Sequence, residues 1–331
     1  MSAQEQPTIT SAYRSVGVTF EALVCNSTVF RDTLRLAAGA ATKDVAILLL
    51  GETGTGKNLI AQAIHNASRR REKPFVSVNC SAIPDTLLES ELFGSEKGAF
   101  TSADKLRKGK FELAHSGTLF LDEIGDMSPV AQAKVLRAFE YKQFERVGGE
   151  ETLHADVRII AATNRPLDQL LAGGTFREDL FYRLNEFTIE VPPLRARREE
   201  IEPLVQHFIR ECNERFGTRI RGIDPAAMIR LKGHSWPGNV RELRAVIKRA
   251  TVATAGDTIR AEDLRLSVTP TSTDEIVPPG ADTSLAGVEA RHIEKVLKQT
   301  GWNKKESSNL LGISRPTLDR KISEYNLRKP T

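Results

Sequence analysis

The chain of 331 residues lacks the features that define several large protein classes. Its three cysteines are scattered and odd in number, which indicates reduced thiols rather than a disulfide framework. Its longest apolar block is Val45–Leu50, far shorter than the ~20 residues that cross a bilayer. The six histidines have no HxxxH or HExxH spacing, and the first residues lack the basic-then-apolar order of a signal peptide. We therefore expect a cytoplasmic protein without membrane contact, and not a zinc enzyme of that type.

Positive charge is concentrated at the C-terminal end. Residues 284–331 contain ten Lys and Arg against five Asp and Glu, whereas the rest of the chain contains 37 against 38. A basic end on a near-neutral body indicates a contact with nucleic acid there. On charge alone, a solvated basic surface is the more common explanation.

Apolar strand patterns alternate with helical patterns in the first half of the chain. The strands are expected at Val45–Leu50, Phe75–Asn79, Thr118–Leu121, Val157–Ala162 and Phe187–Val191. One of the intervening helices should begin at Ser128-Pro129, a cap followed by proline, and end near Glu140. This alternation predicts an α/β fold with a parallel sheet covered by helices.

The composition divides the chain into five segments. Residues 1–20 are predicted to be a disordered tail, 21–192 the α/β domain and 193–266 a small helical domain. Residues 267–284, rich in Pro, Thr and Asp, are predicted to be a linker before a last helical block over 285–331. The small helical domain should contain helices at Glu199–Asn213, Pro225–Lys232 and Asn239–Ala253.

A glycine-rich segment between a buried strand and a helix predicts a nucleotide site. It comprises Gly51, Glu52, Thr53, Gly54, Thr55, Gly56, Lys57 and Asn58. The glycines let peptide N–H groups turn toward phosphate oxygens, the helix N-terminus adds partial positive charge, and Lys57 can reach the outer phosphates. The alternative, a glycine turn with a surface lysine, would not need a buried strand before it and a helix after it. Asn58 stands where Ser or Thr usually supplies a hydroxyl to Mg²⁺, so the metal must rely on other groups and water.

Polar residues at the ends of three further strands complete the predicted site. Asp122 should hold Mg²⁺ and Glu123 should orient the attacking water, because strand ends carry the ligands in α/β folds. Asn164 is expected to sense the γ-phosphate or to position water, and the alternative is that it caps the next helix. Asn79 is placed to hold Glu123 inactive through a hydrogen bond.

Two arginines are candidates for stabilising charge during phosphoryl transfer. Arg177 and Arg183 lie six residues apart, and such arginines often come from a neighbouring subunit. Without further context, both are more simply surface residues.

Six motifs in order resemble those of one family, the AAA+ activators of sigma-54 RNA polymerase, also called bacterial enhancer-binding proteins. Over about residues 20–264 the chain contains GETGTGK, ELFGSEKGAFT, GTLFLDEI, FREDLFYRL, VPPLRAR and WPGNVREL. The resemblance implies ATP bound between the subunits of a ring, most often a hexamer. It also implies arginine fingers at Arg177 and Arg183, a lid sensor at Arg241 and a switch pair of Asn79 and Glu123.

The resemblance also gives a purpose to a charged loop with a phenylalanine at its middle. The family contacts sigma-54 through a GAFTGA loop, which here consists of Gly98, Ala99, Phe100, Thr101, Ser102 and Ala103. The alternative is that Phe100 packs into the protein's own core. Ser102 replaces the family's second glycine and reduces backbone freedom there.

Residues 288–327 resemble the Fis-type helix-turn-helix that ends many members of this family. The first helix of the motif is expected at Lys304–Leu311, the turn at Gly312 and the recognition helix at Ser314–Tyr325. The expected contacts to DNA come from Ser314, Arg315, Pro316, Thr317, Arg320 and Lys321, the last two nearer the phosphates. Asp319 stands where the family often has Tyr, so base preference cannot be transferred.

The sequence therefore predicts an ATP-driven activator of sigma-54 RNA polymerase bound to enhancer DNA. Because only about twenty residues precede the AAA+ motifs, control is expected from a separate protein, as in the phage-shock activator, or from the expression level. One alternative is a DNA-binding regulator on the same scaffold without remodelling activity. Another is a different AAA+ machine, such as a helicase loader or chelatase subunit, which the GAFT loop and the helix-turn-helix argue against.

Overall fold

A computed structural model describes residues 17–99, 105–266, 285–325 and 327. Most of the predicted tail, the predicted linker and the loop segment from Phe100 to Ala103 lie outside these residues. The chain forms two compact units, residues 1–265 and 266–331.

The first unit contains eleven short strands and ten α-helices among its described residues. The strands are β1 (Ile47–Leu50), β2 (Phe75–Asn79), β3 (Gly94–Ser95), β4 (Arg107–Lys108), β5 (Thr118–Asp122), β6 (Gln143–Glu145), β7 (Thr152–His154), β8 (Arg158–Thr163), β9 (Phe187–Glu190), β10 (Gly222–Ile223) and β11 (Thr258–Ile259). The helices are α1 (Thr28–Ala41), α2 (Lys57–Asn66), α3 (Asp85–Phe93), α4 (Lys110–Leu113), α5 (Pro129–Tyr141), α6 (Leu167–Ala172), α7 (Glu178–Leu184), α8 (Ile201–Phe216), α9 (Pro225–Gly233) and α10 (Asn239–Ala253).

Five strands form one parallel sheet in the order β2-β5-β8-β1-β9. They are the five strands predicted from the sequence. The register places Leu50 opposite Thr163, and Asn79 opposite Asp122. Because parallel strands end at one edge, the polar residues at the ends of β2, β5 and β8 are brought together there.

The two faces of the sheet carry separate cores. In β1, Leu48 packs in one apolar cluster while Ile47 and Leu49 pack in the other. In β5, Leu119 and Leu121 alternate with Phe120 in the same way. This period of two, with both faces buried, explains why these strands read as continuous apolar runs.

Helices α8, α9 and α10 form the small helical part predicted after the sheet. The predicted start at Glu199 is a short 3₁₀ turn at Arg198–Glu200 that leads into α8. Trp236 is fully buried there and donates from its indole nitrogen to the Leu231 carbonyl at 2.9 Å. The predicted fold class, an α/β sheet domain with a helical lid, is confirmed.

Two antiparallel ladders were not predicted from the sequence. Strand β3 pairs with β4, and β6 pairs with β7. Each has only two or three residues, which is too short to show an alternating pattern. The β3–β4 ladder brackets the segment that carries the predicted sigma-54 loop.

The second unit contains helices α11 (Leu285–Gln299), α12 (Lys304–Leu311) and α13 (Arg315–Glu324). Gly312 adopts φ +64° between α12 and α13, and Ser314 caps α13 by accepting from the Thr317 N–H. Ile293, Leu297 and Leu318 form its buried core. The predicted helices and turn of the motif are confirmed.

Candidate functional site

The glycine-rich segment forms a loop between β1 and α2, with Lys57 as the first helical residue. Gly54 and Gly56 have φ values of +82° and +106°, which residues other than glycine rarely adopt. The ammonium of Lys57 donates to the Gly51 carbonyl at 2.7 Å and lies 3.7 Å from the Glu123 carboxylate. The segment therefore has the backbone shape of a phosphate-binding loop.

Glu123 is held at the edge of the sheet in an unusual conformation. Its φ of +54° lies in the left-handed region, a strained state that is concentrated at functional sites. Its carboxylate accepts the backbone N–H of Asn164 at 2.9 Å. The Asn164 side chain donates to the Thr53 hydroxyl at 2.7 Å. These two hydrogen bonds join Glu123, Asn164 at the end of β8 and Thr53 of the phosphate loop.

Asn164 does not cap the following helix, which was one of its expected roles. Helix α6 has Pro166 at its N-cap position and receives no side-chain cap there. The Asn164 side chain instead contacts Thr53 of the phosphate loop.

Asn79 lies beside Asp122, as its strand register requires, but its expected hydrogen bond to Glu123 is not formed. Its side-chain oxygen instead accepts from the N–H and the hydroxyl of Ser81, at 3.1 and 2.8 Å. Glu123 is occupied with Asn164 and Lys57. Two residues at adjacent strand ends need not pair when each has a nearer partner.

Burial shifts the ionisation of the charged groups here. Burial lowers the pKa of Lys57, and the nearby Glu123 and Asp122 oppose that shift. Burial raises the pKa of Asp122, and Lys57 opposes it. Each charge therefore stabilises the other in a partly dehydrated site.

A cavity of about 300 Å³ adjoins the loop. Beside Lys57, Asp122 and Glu123, it is lined by residues that the sequence did not single out, among them Val24, Leu204, His207, Phe208 and Arg244. They come from the chain before α1 and from the lid. No glycine or charge motif marks them, so only the fold reveals them.

The lid contacts the loop directly. The Val240 N–H donates to the Gly54 carbonyl at 3.0 Å, and a Cβ added at Gly54 would lie 2.4 Å from the Gly238 oxygen. The amide of Asn239 donates to the Glu52 carboxylate and the Thr53 carbonyl at 3.0 and 3.1 Å. This close approach carries the predicted sensor Arg241 to the wall of the cavity.

Three charged residues near the loop were not predicted from the sequence, two of them in the VPPLRAR motif and the third just after it. Arg195 pairs with Glu52 through two hydrogen bonds of 2.8 and 2.5 Å. Arg197 and Glu200 form a buried pair at 3.2 Å. A sequence does not reveal which of several arginines is buried.

The donors in this site fit a nucleoside triphosphate with Mg²⁺. The loop offers peptide N–H groups and Lys57 for phosphates, and Asp122 offers the hard oxygen that Mg²⁺ prefers. The described part of the chain contains no cluster of His, Cys, Asp or Glu that would hold a metal by itself. Asn58 is exposed, and its side-chain oxygen accepts from Gln62 at 2.6 Å.

Arg177 and Arg183 lie on the surface and are not part of the wall of this cavity. Arg177 pairs with Asp179 at 2.6 Å, and Arg183 with Glu186 at 3.1 Å. Their side chains are 45% and 42% exposed, so both remain accessible to a neighbouring molecule.

The base of the predicted sigma-54 loop is tied to the β6–β7 hairpin. Arg146 reaches Glu96 at 2.8 Å and Glu112 at 3.0 Å, and the Glu96 N–H donates to the Val147 carbonyl at 3.0 Å. Of the predicted contact residues, Gly98 and Ala99 follow this base. Phe100, Thr101, Ser102 and Ala103 lie outside the described residues.

The second unit presents only part of the predicted DNA surface freely. Arg315, Pro316 and Arg320 are exposed on α13, whereas the hydroxyls of Ser314 and Thr317 bond to one another at 2.7 Å. Lys321 pairs with Glu289 at 2.6 Å and is 18% exposed. Asp319 pairs with Lys304 at 2.7 Å. Lys321 is therefore engaged within the unit itself.

These features define a phosphate-loop module with a helical lid, followed by a helix-turn-helix. Among the described residues, no helix has the length and apolar character needed to cross a membrane. Residues 23–190 match the sigma-54 interaction domain family. Residues 195–277 match the AAA+ ATPase lid domain, and 284–325 match the Fis family of bacterial regulatory proteins.

Known proteins agree with this assignment. The chain is 48% identical to the regulatory protein AtoC of Escherichia coli over 312 residues, which cover 92% of this chain and 68% of AtoC. It is 46% identical to the transcriptional regulatory protein ZraR of Klebsiella oxytoca over 91% of this chain and 68% of ZraR. A crystal structure of NtrX from Brucella abortus in complex with ATP superposes with a TM-score of 0.70 at 34% identity, over 96% of this chain and 72% of NtrX. The chain belongs to the family of sigma-54-dependent transcription activators, which confirms the resemblance.

Proposed function

We propose that this protein hydrolyses ATP to activate sigma-54 RNA polymerase while bound to enhancer DNA. The observation that carries the proposal is the junction of Lys57, Glu123 and Asn164 around the phosphate loop, with the lid closed over it. A DNA-binding scaffold without hydrolysis would not need a strained carboxylate 3.7 Å from the loop lysine.

In the proposed reaction, the phosphates of ATP bind the loop N–H groups, and Lys57 exchanges its carbonyl partner for phosphate oxygens. Asp122 would hold Mg²⁺, which would neutralise charge on the phosphates when bound. Glu123 orients the attacking water and accepts its proton, and the Asn164 N–H fixes the direction of that carboxylate. Arg241, at the wall of the cavity, extends the cationic surface from the lid.

The remaining positive charge comes from a second copy of the chain. Arg177 and Arg183 are accessible but lie away from the cavity of their own protomer. A ring, a hexamer by family resemblance, would bring them to the phosphates of the neighbouring subunit. Hydrolysis would then drive the loop from Gly98 to Ala103 against sigma-54, and the second unit would hold the ring at its DNA site.

The test is ATP hydrolysis by purified protein, with Glu123→Gln as the variant. We expect Glu123→Gln to keep ATP affinity but to lose on the order of 10²-fold or more in turnover, because only the water-orienting carboxylate is removed. Glu190→Gln is the matched control, since Glu190 also ends a strand of the sheet and is exposed. Equal turnover in both variants would contradict the proposed role of Glu123. If the wild-type protein hydrolyses no ATP but binds DNA, the non-remodelling regulator becomes the better account.

A further inference from the structure

A buried arginine lies beneath the phosphate loop, at the junction of the loop with the lid. The side chain of Arg197 is 2% exposed and is covered by the ring of Phe30, 4.0 Å from the guanidinium carbon. One guanidinium nitrogen donates to the Glu200 carboxylate at 3.2 Å. Another donates to the backbone carbonyl of Thr55 at 2.6 Å.

The two polar contacts differ in what they accomplish. A buried guanidinium needs a counter-charge, and Glu200 supplies it from the same short turn. Burial lowers the pKa of Arg197 and raises that of Glu200 to about 7, so the pair is costly to bury. The contact with Thr55 is not required for charge balance, and it is the shorter of the two.

The Thr55 carbonyl belongs to the peptide unit that precedes Gly56. In a trans peptide, the C=O and the following N–H point in opposite directions. Holding the Thr55 oxygen toward Arg197 therefore turns the Gly56 N–H to the opposite side. Gly56 lines the cavity at φ +106°, and because glycine has no Cβ, it restrains this peptide plane less than a residue with a side chain would.

We propose that Arg197 is a positioning residue for the phosphate loop, which fixes the Thr55–Gly56 peptide so that its N–H is preset for a phosphate oxygen. The inference rests on the proposed function, because it assumes that the loop binds the phosphates of ATP. In this proposal the start of the lid, through Arg197, helps to hold the phosphate loop in shape.

The test compares nucleotide affinities, measured by titration with ATP, ADP and adenosine. Arg197→Lys keeps one positive charge for Glu200 but loses the planar fork whose two terminal nitrogens reach Glu200 and the Thr55 carbonyl separately, so we expect Kd for ATP and ADP to rise about tenfold. Adenosine has no phosphate, so its Kd should change by less than about twofold, and turnover at saturating ATP by less than about threefold. Arg198→Lys, the exposed neighbour, is the matched control and should change none of these values.

A second variant separates positioning from folding. In Arg197→Met/Glu200→Leu the whole pair is replaced by apolar side chains, a change that buried pairs often tolerate without loss of stability. The melting temperature should be kept, while Kd for ATP and ADP again rises about tenfold, because the Thr55 carbonyl has lost its donor. Unchanged affinity for ATP in the folded double variant would overturn the inference, as would equal losses for adenosine and ATP. If wild-type protein bound no nucleotide, the proposed function itself would fail.

Discussion

The Glu123 carboxylate accepts the backbone N–H of Asn164 at 2.9 Å. This hydrogen bond joins the ends of two neighbouring strands of the sheet. Because the donor is a backbone group at the end of a buried strand, it fixes Glu123 with little freedom. The side chain of Asn164 remains available for another task, and it contacts Thr53 of the loop.

Replacement of Asn164 by Ala should separate these two contacts. The backbone bond to Glu123 is kept, but the link to the loop is lost. We expect turnover to fall about tenfold with ATP affinity nearly unchanged, because the side chain acts on the bound phosphate. Thr53→Val, assayed for the same two quantities, should show a smaller loss. Unchanged turnover in Asn164→Ala would exclude the sensor role.

The arginine pair can be tested by mixing inactive variants. Lys57→Ala removes the loop lysine and Arg183→Ala removes a proposed finger, so each should be inactive alone. If the finger acts on the neighbouring subunit, mixed rings contain sites with an intact loop and an intact arginine. ATPase activity of the mixture should then exceed that of either variant by roughly tenfold or more. Activity that merely averages the two would show that Arg183 acts within its own subunit or not at all.

His65 should make the first unit sensitive to acid. It is fully buried, bonds Thr118 at 2.9 Å, and burial lowers its pKa to about 4 from 6.5. In the unfolded chain His65 binds a proton as the pH falls through 6.5, whereas in the folded chain it stays neutral down to about pH 4. The contribution of neutral His65 to the free energy of unfolding is therefore fully present above pH 6.5 and declines as the pH falls toward 4. Between pH 7.5 and 4.5 the free energy of unfolding should fall by about 2–3 kcal/mol more than in His65→Gln. Urea denaturation at both pH values measures this difference, and equal declines would contradict it.

Two basic residues of α13 should behave differently toward DNA. Arg315 is exposed, so Arg315→Ala should weaken specific DNA binding about tenfold or more. Lys321 is held by Glu289, so Lys321→Ala should lower the melting temperature of the second unit and affect DNA binding less. Binding titrations at several salt concentrations, with thermal melts, distinguish the two. A larger loss of DNA affinity in Lys321→Ala than in Arg315→Ala would contradict this and support the phosphate contact expected for Lys321 from the sequence.

Much of the fold could be predicted because the buried strands carry strong local signals. Val45–Leu50 is apolar throughout and Thr118–Leu121 is apolar after its first residue, and the two runs are followed by a glycine and by carboxylate residues, which indicates both the strand and its functional end. The phosphate loop was recognisable because glycine spacing, strand and helix occur together. Ser128 and Pro129 likewise fixed the start of α5.

What could not be predicted depends on contacts distant in the sequence. Strands β3 and β4 have two residues each, so nothing local distinguishes them from loops. Arg197 lies among several arginines, and only the packing of Phe30 and Glu200 reveals that it is buried. Asn79 was expected to hold Glu123, but Ser81 lies nearer along the chain.

The most direct test of the whole account is promoter opening by the 331-residue chain. The protein would be mixed with sigma-54 holoenzyme and a sigma-54 promoter, with ATP or a non-hydrolysable analogue. The account predicts opening only with ATP, and loss of opening with retained ATPase activity in Phe100→Ala. ATP hydrolysis by the wild-type protein without opening would contradict a remodelling role for the loop, and opening without hydrolysis would contradict the proposed coupling to ATP.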